Sequence, residues 1–475
     1  MRRSGTGDEA GATTPGAGTG RAAPRGSGAV SPQRSERARV PLGRAIGRAV
    51  GRGLAPPLLA LALVLLGGCG TLLRLPPPPP GEALTMPVLG VPNARFWLDG
   101  PAGPLLAEVE AMRRRRAASG LDRRPETHIL ALSGGGDDGA FGAGLVTGWT
   151  ESGARPEFDV VTGVSAGALI APFAFLGPSH DPALRAVFTE VRPTDVLVVG
   201  RVVLGLLFRD AVADTSPLAR LIERHADEAL LAAVAREHGR GRLLLVATTN
   251  LDLQRPAAWN LGAIAASGHP GALALFRRVL LASASIPGAF PPVMLDVETP
   301  AGPRQEMHVD GGAATQVFFY PPSLDLARGI AGGTARRPGA GPPGPQPPGP
   351  ARTVWVVRNG RVRMDADAPE RGIFAIASRS ARTLLHFSGV SDVGRIYLTA
   401  RRDGMAFRFA HIGDEFRADR PEAFDSAYMR ALFEHGRQTA LSGRGWLTAP
   451  PVVGLEGTLG PPLERRADPP PEAAR

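Results

Sequence analysis

Apolar residues along this chain collect in short runs that alternate with stretches of helical period. The runs His128 to Leu132, Phe158 to Thr162, Arg242 to Thr248, Met307 to Val309, Val354 to Val357 and Arg395 to Thr399 are rich in Val, Ile and Leu, and their lengths predict buried strands. Between and beyond them, 140–152, 166–175, 216–237, 271–283, 372–388 and 421–441 repeat apolar positions at three- and four-residue spacing, which predicts helices. Strand and helix in alternation predict a mainly parallel central sheet covered on both faces, a three-layer α/β/α sandwich. In such sheets chemistry gathers at the carboxyl ends of the strands.

The pattern does not run the whole length. Residues 1–52 are Gly, Ala, Ser, Pro and Arg with almost no large apolar residue before Ile46, so they offer nothing to bury. An apolar stretch from Leu54 to Leu66 follows, ending in Gly67-Gly68-Cys69. Its 13 residues fall short of the roughly 20 that span a bilayer and suit the apolar part of a secretory signal. Pro76 to Pro80 predicts a stiff polyproline spacer. Arg113 to Arg116 predicts a solvated helix face. Residues 331–350 hold six Gly and seven Pro without a three-residue period, a flexible insertion. The expected organisation is a leader and signal at 1–68, a tether and Pro-rich spacer at 69–124, a catalytic domain at 125–445 interrupted at 331–350, and a disordered tail at 446–475.

Three strand ends carry unusual chemistry. The first strand runs into Ser133-Gly134-Gly135-Gly136-Asp137-Asp138-Gly139, where consecutive glycines let backbone N–H groups approach an anion or an oxyanion. Gly134, Gly136 and Gly139 also satisfy G-x-G-x-x-G, the dinucleotide fingerprint. That alternative wants an acid near the end of the second strand, whereas Asp159 lies at its start, and Asp137 and Asp138 would repel a pyrophosphate. The second strand ends in Gly163-Val164-Ser165-Ala166-Gly167 ahead of an apolar helix. Here Gly163 and Gly167 relieve crowding in a nucleophile elbow that lifts the Ser165 hydroxyl above the sheet. A third strand ends in Asp310-Gly311-Gly312, offering either an ordinary turn or a base for the serine.

Glycine loop, Gly-x-Ser-x-Gly and Asp-Gly-Gly in this order resemble the patatin-like phospholipases, lipid acyl hydrolases with a Ser-Asp dyad. Leu281-Ala-Ser-Ala-Ser-Ile-Pro-Gly-Ala-Phe-Pro-Pro292 is similar to a further segment of that family, and the likeness covers about His128 to Phe319. The resemblance implies that Ser165 is the nucleophile and Asp310 its base, with backbone N–H groups of Gly134, Gly135 and Gly136 forming the oxyanion hole. It implies no cofactor and no metal. The chain departs from the family at Asp138, where Arg or Lys is common, and an acid there argues against anionic headgroups. Two rivals stand beside the dyad: a Ser-acid-His triad drawing on His386, His411 or His435, and an envelope lipoprotein that binds lipid without cleaving it. His308, two residues before Asp310, reads as a structural neighbour. Val202 to Phe208 reads as a buried helix or an interfacial lid.

The remaining chemistry concerns location and partners. Leu66-Gly67-Gly68-Cys69 resembles the lipobox of bacterial lipoproteins, which implies lipidation at Cys69, and Gly70 after it implies the outer membrane, facing the periplasm. One Cys in 475 residues excludes a disulfide framework. The formal charge of +10 suggests an acidic partner, but residues 1–68 hold ten Arg and three acids, so the rest carries 44 basic against 41 acidic residues, or +3. With aromatics at 5% and not interleaved with Arg, nucleic acid is excluded and a lipid or membrane substrate is the expected partner.

Overall fold

The structure is a computed structural model that describes residues 74–121, 124, 126–196, 198–199, 213–320, 351–364 and 368–451. All lie in the unit Gly70–Arg475. The leader, Cys69, Val202 to Phe208, the insertion at 331–350 and residues beyond 451 lie outside the described residues.

A nine-stranded sheet organises the domain. Its strands are β1 (Arg95–Trp97), β2 (Glu126–Leu132), β3 (Val160–Val164), β4 (Leu243–Asn250), β5 (Arg255–Asn260), β6 (Val293–Thr299), β7 (Gly302–Asp310), β8 (Ala351–Arg358) and β9 (Ala406–His411). The order is β1-β5-β4-β3-β2-β8-β9, with β7 pairing β4 and β6 pairing β7. From β4 to β9 every neighbour is parallel, and the pairs involving β1, β5, β6 and β7 are antiparallel. Helices cover both faces, so the domain is an α/β/α sandwich. Alternation along β2 makes the layers: Leu130 and Leu132 pack with α2 (Gly139–Glu151), α3 (Ala166–Leu176) and α9 (Ser426–Leu441), while Ile129 and Ala131 pack with α8 (Ile373–Arg402).

Several sequence expectations are corrected. Residues 80–119 are part of the fold rather than a tether. β1 adds an edge strand to β5, with Arg95 opposite Trp259, and α1 (Gly103–Ser119) packs Leu105 beside Phe96. The polyproline run is fastened too, since the Pro76 carbonyl accepts from the Gln305 amide at 3.3 Å. Nor is Arg113 to Arg116 simply a solvated face: Arg116 is buried in an ion pair with Asp159. Finally, Arg395 to Thr399 is helical. Val393, Ile396 and Ala400 repeat at helical spacing against the sheet, and the edge place expected for that run belongs to β9. The expected helix 216–237 divides into α5 (Ser216–His225) and α6 (Glu228–Gly239), because Asp227 caps the second by accepting from the Leu230 amide at 2.8 Å.

Candidate active site

Ser165 stands between β3 and α3 with φ 54° and ψ −124°, a backbone shape that a non-glycine residue adopts only under constraint. The flanking glycines make the turn possible. A Cβ on Gly163 would lie 2.5 Å from the Gly167 carbonyl oxygen, and one on Gly167 would lie 2.5 Å from that of Leu132. The Ser165 amide donates to the Ser283 hydroxyl at 3.0 Å, and that hydroxyl donates onward to the Ala247 carbonyl at 2.7 Å. Ser283 thus pins the elbow to the end of β4.

Asp310 ends β7, opposite Thr248 of β4, and is 4% exposed. One carboxylate oxygen, Oδ1, accepts from the Gly312 amide at 2.7 Å; Oδ2 is buried without a hydrogen-bond partner among the described residues. Burial raises the pKa of this carboxyl to about 7, and the Ser165 hydroxyl is the chief neighbour acting in the opposite sense. The structure therefore brings the two residues singled out in the sequence together. The Asp310 amide donates to the Ser285 carbonyl at 2.8 Å. The Ala-Ser-Ala-Ser stretch therefore holds both residues by the backbone, one through Ser283 and the other through Ser285.

The glycine loop lies beside the serine: a Cβ on Gly134 would meet the Ser165 Cβ at 3.1 Å. Gly134 itself is corrected as an oxyanion donor, because its amide already donates to the Gln316 carbonyl at 2.9 Å. The amides of Gly135 and Gly136 donate to no acceptor among the described residues. Asn359, just beyond β8, shapes this loop. Its side chain donates to the Ser133 carbonyl at 2.7 Å and accepts from the Gly142 amide at 3.0 Å, and its carbonyl oxygen would stand 2.2 Å from a Cβ on Gly135. Gln316 joins the loop to the Asp310 turn through a bond to the Gly312 carbonyl at 3.0 Å, and Asp392 of α8 holds the Gln316 amide at 2.7 Å. Asn359, Gln316 and Asp392 carry no motif, whereas Ser283 lies in the Ala-Ser-Ala-Ser segment. Only the repeated Ala-Ser pair left a sequence signal.

Asp137 and Asp138 turn away from the role expected of them. Asp137 is buried, accepting from Arg420 at 2.6 Å and from the Phe424 amide at 2.9 Å. Asp138 accepts from the Tyr428 hydroxyl at 2.6 Å, and burial raises its pKa to about 6. Both acids therefore tie the glycine loop to the segment leading into α9. Asp138 is not among the residues that line the cleft over Ser165.

A narrow cleft of about 40 Å³ opens over Ser165. Gly136 and Ser165 form its polar end, and Leu169, Val187, Leu218, Leu221, Phe290 and Met429 are among its apolar walls. Such a wall suits an acyl chain and offers no charge to a polar substrate.

Other candidates fall elsewhere. His308 is fully buried, with its ring nitrogens toward Thr248 at 2.9 Å and Glu306 at 3.1 Å, and burial lowers its pKa. Asp159 accepts from the His128 amide at 2.8 Å and pairs with Arg116 at the amino end of β3, away from the glycine loop, so nothing is left of the dinucleotide alternative. His386 meets Arg358, His411 its neighbour's carbonyl, and His435 Glu415. Among the described residues no histidine is hydrogen-bonded to Ser165 or Asp310.

Residues 130–321 match the family described as Patatin-like phospholipase. No curated protein matches the chain. Among solved structures, VipD from Legionella pneumophila is similar, at 12% identity and a TM-score of 0.31, with 67% of each chain covered. The family match runs from within β2 past the Asp310 turn and so contains the elbow, the Ala-Ser segment and the acid: residues 130–321 are similar to a patatin-like phospholipase domain.

Proposed function

We propose that this protein is a serine acyl hydrolase that cleaves carboxylic ester bonds of lipids, in the manner of a phospholipase A or lysophospholipase, through a Ser165–Asp310 dyad. The meeting of Ser165 with a buried, half-partnered carboxyl at the polar end of an apolar cleft carries the reading. With a pKa near 7, Asp310 is basic enough to take a hydroxyl proton and is substantially ionised around neutrality. Ser165 Oγ attacks the ester carbonyl as Asp310 takes its proton, and the oxyanion is held by the Gly135 and Gly136 amides. The tetrahedral intermediate then collapses, and the leaving alcohol departs with the proton from Asp310, leaving an acyl-serine. Water, deprotonated by Asp310, attacks that ester; collapse returns the proton to Ser165 Oγ and frees the fatty acid.

Hydrolysis of a panel of p-nitrophenyl esters and phospholipids tests the reading. Wild type turns over esters and Ser165→Ala loses at least about a thousandfold in kcat, a loss of the order expected when a covalent nucleophile goes. Full activity in Ser165→Ala would remove the nucleophile. A wild type that labels with no serine-reactive phosphonate at Ser165 and cleaves nothing would favour a lipid-binding protein without catalysis.

We also propose that Cys69 is lipidated and anchors the chain in a bacterial envelope, at the outer membrane facing the periplasm, with 1–68 removed as a leader. The support is the small-residue sequence before a sole cysteine. Incorporation of a labelled fatty acid, abolished in Cys69→Ser, tests it.

A further inference from the structure

α8 has 30 residues, and among the described residues it is its carboxyl-terminal part that packs on the sheet, through Val393, Ile396 and Ala400. The helix runs antiparallel to β8. At one end the Arg352 guanidinium at the start of β8 donates to the Asp403 carbonyl at 2.9 Å, and at the other Arg358 at the end of β8 donates to the His386 carbonyl at 3.2 Å. Residues 373–385 therefore continue past the carboxyl end of β8 for about 20 Å, at about 1.5 Å per residue. That end is level with the glycine loop, because Val357 of β8 pairs with Leu132 of β2 and the Ser133 amide donates to the Val357 carbonyl. The arm leaves the domain on the edge of the sheet where Ser165 is exposed to substrate.

The arm carries large apolar side chains into solvent. Ile373 is 79% exposed, Ile376 53%, Leu384 73% and Phe387 62%. At 3.6 residues per turn these four fall within an arc of about 80°, one continuous stripe. No acidic residue occurs from 371 to 391, whereas Arg371, Arg379 and Arg382 do; Asp365, Asp367 and Glu370 precede the helix. A second copy packed along the same stripe would bring the arginines of two chains together with no acid in either stretch to offset them. An apolar stripe on a stretch, 371–391, whose Asp, Glu, Lys and Arg residues are all arginine is instead complementary to the surface of an anionic bilayer.

We propose that residues 373–387 of α8 are a membrane-docking arm that inserts Ile373, Ile376, Leu384 and Phe387 among anionic phospholipids and sets the mouth of the Ser165 cleft against the lipid surface. Its use rests on the lipid-hydrolase reading above; its test does not. The sole cysteine makes a position-specific experiment possible. In the full chain carrying Cys69→Ser and Ser165→Ala, a single cysteine is introduced as Leu384→Cys, or as Arg382→Cys on the opposite side of the helix, and labelled with a solvent-sensitive fluorophore. Vesicles of phosphatidylcholine with and without phosphatidylglycerol are then titrated in.

The expected result is a blue shift at position 384 and little at 382, reached at about tenfold less lipid when phosphatidylglycerol is present. Adding Arg379→Glu should raise the lipid required by about tenfold. Since the probe reads position and not the chain as a whole, binding through the leader cannot imitate this difference. In catalytically intact protein, Leu384→Asp with Phe387→Asp should leave soluble-ester turnover unchanged and cut turnover of vesicle phospholipid about tenfold. No shift at 384, equal shifts at both positions, or a shift at 384 that follows protein concentration without lipid would each overturn the proposal, the last in favour of a second copy.

Discussion

Asp310→Asn should make the protein more stable while disabling it, and more so at higher pH. The carboxyl is buried, one oxygen has no hydrogen-bond partner among the described residues, and its pKa rises from 3.8 to about 7 in the fold. A raised carboxyl pKa means that the native state resists ionisation. The neutral form's advantage is fully present below pH 3.8 and is lost as pH climbs through about 7. At about 1.4 kcal/mol per tenfold change in proton affinity, the penalty on the wild type is about 2 kcal/mol at pH 5 and about 4 kcal/mol at pH 8. Asn keeps the shape and an oxygen for the Gly312 amide but carries no charge, so it escapes this penalty. Urea unfolding of wild type and variant at both pH values measures the difference. The variant's advantage should grow by about 2 to 3 kcal/mol from pH 5 to pH 8, while esterase activity falls at least about a hundredfold. An advantage that does not change with pH, or a less stable variant at pH 8, would refute the reasoning that Asp310 is held as a poorly compensated base.

Further outcomes follow from the same geometry. Gly135→Ala drives a Cβ to 2.2 Å from the Asn359 carbonyl oxygen and must displace the loop, so kcat should fall by about a hundred- to a thousandfold, as for a lost oxyanion donor, with little change in KM. Ser283→Ala leaves the Ser165 amide and Ala247 carbonyl without their shared hydroxyl; denaturant unfolding should show a loss of about 1 to 3 kcal/mol, and kcat a tenfold or larger drop. His386→Ala, His411→Ala and His435→Ala should each retain kcat within about threefold, and loss of activity in one of them would restore the triad. Leu221→Trp narrows the apolar cleft and should move the preferred p-nitrophenyl ester toward shorter acyl chains, read as the chain length with the highest kcat/KM.

How legible the site was depended on where its constraints act. Ser165 and Asp310 were readable because a hydroxyl at an elbow and an acid at a strand end impose glycine on their neighbours, and glycine at fixed offsets is visible in a sequence. Asn359, Gln316 and Asp392 do as much to shape the glycine loop, yet they meet it through tertiary contacts, across 226 positions in the case of Asn359 and Ser133. No local pattern announces such a contact. The fold shows the same division. Central strands such as β2 and β4 are buried on both faces and stand out as apolar runs, while β1, with three residues, and β9, with alternating burial, sit at the edges and escaped notice. The run Arg395 to Thr399 misled because its β-branched and aromatic residues suit either structure. Only its continuity with the helical spacing of Val393 and Ala400 decides it.

The acid pair in the glycine loop shows how a change of residue type can relocate a function rather than remove it. A basic residue at position 138 would add positive charge beside the loop. Here Asp137 pairs with the Arg420 guanidinium and Asp138 accepts from the neutral Tyr428 hydroxyl. The consequence is mechanical. Phe424, whose amide Asp137 holds, takes a positive φ of 60° and lines the cleft together with Met429 of α9. Part of the wall beside Ser165 is therefore fastened to the glycine loop, so loop and wall cannot shift independently. Burial makes the carboxyl at position 138 titrate near 6, and protonating it weakens the acceptor on which the Tyr428 contact depends. Fitting of the acyl chain and alignment of the oxyanion donors should then loosen together as pH falls, and Tyr428→Phe should reproduce at pH 8 the rise in KM that wild type shows at pH 5.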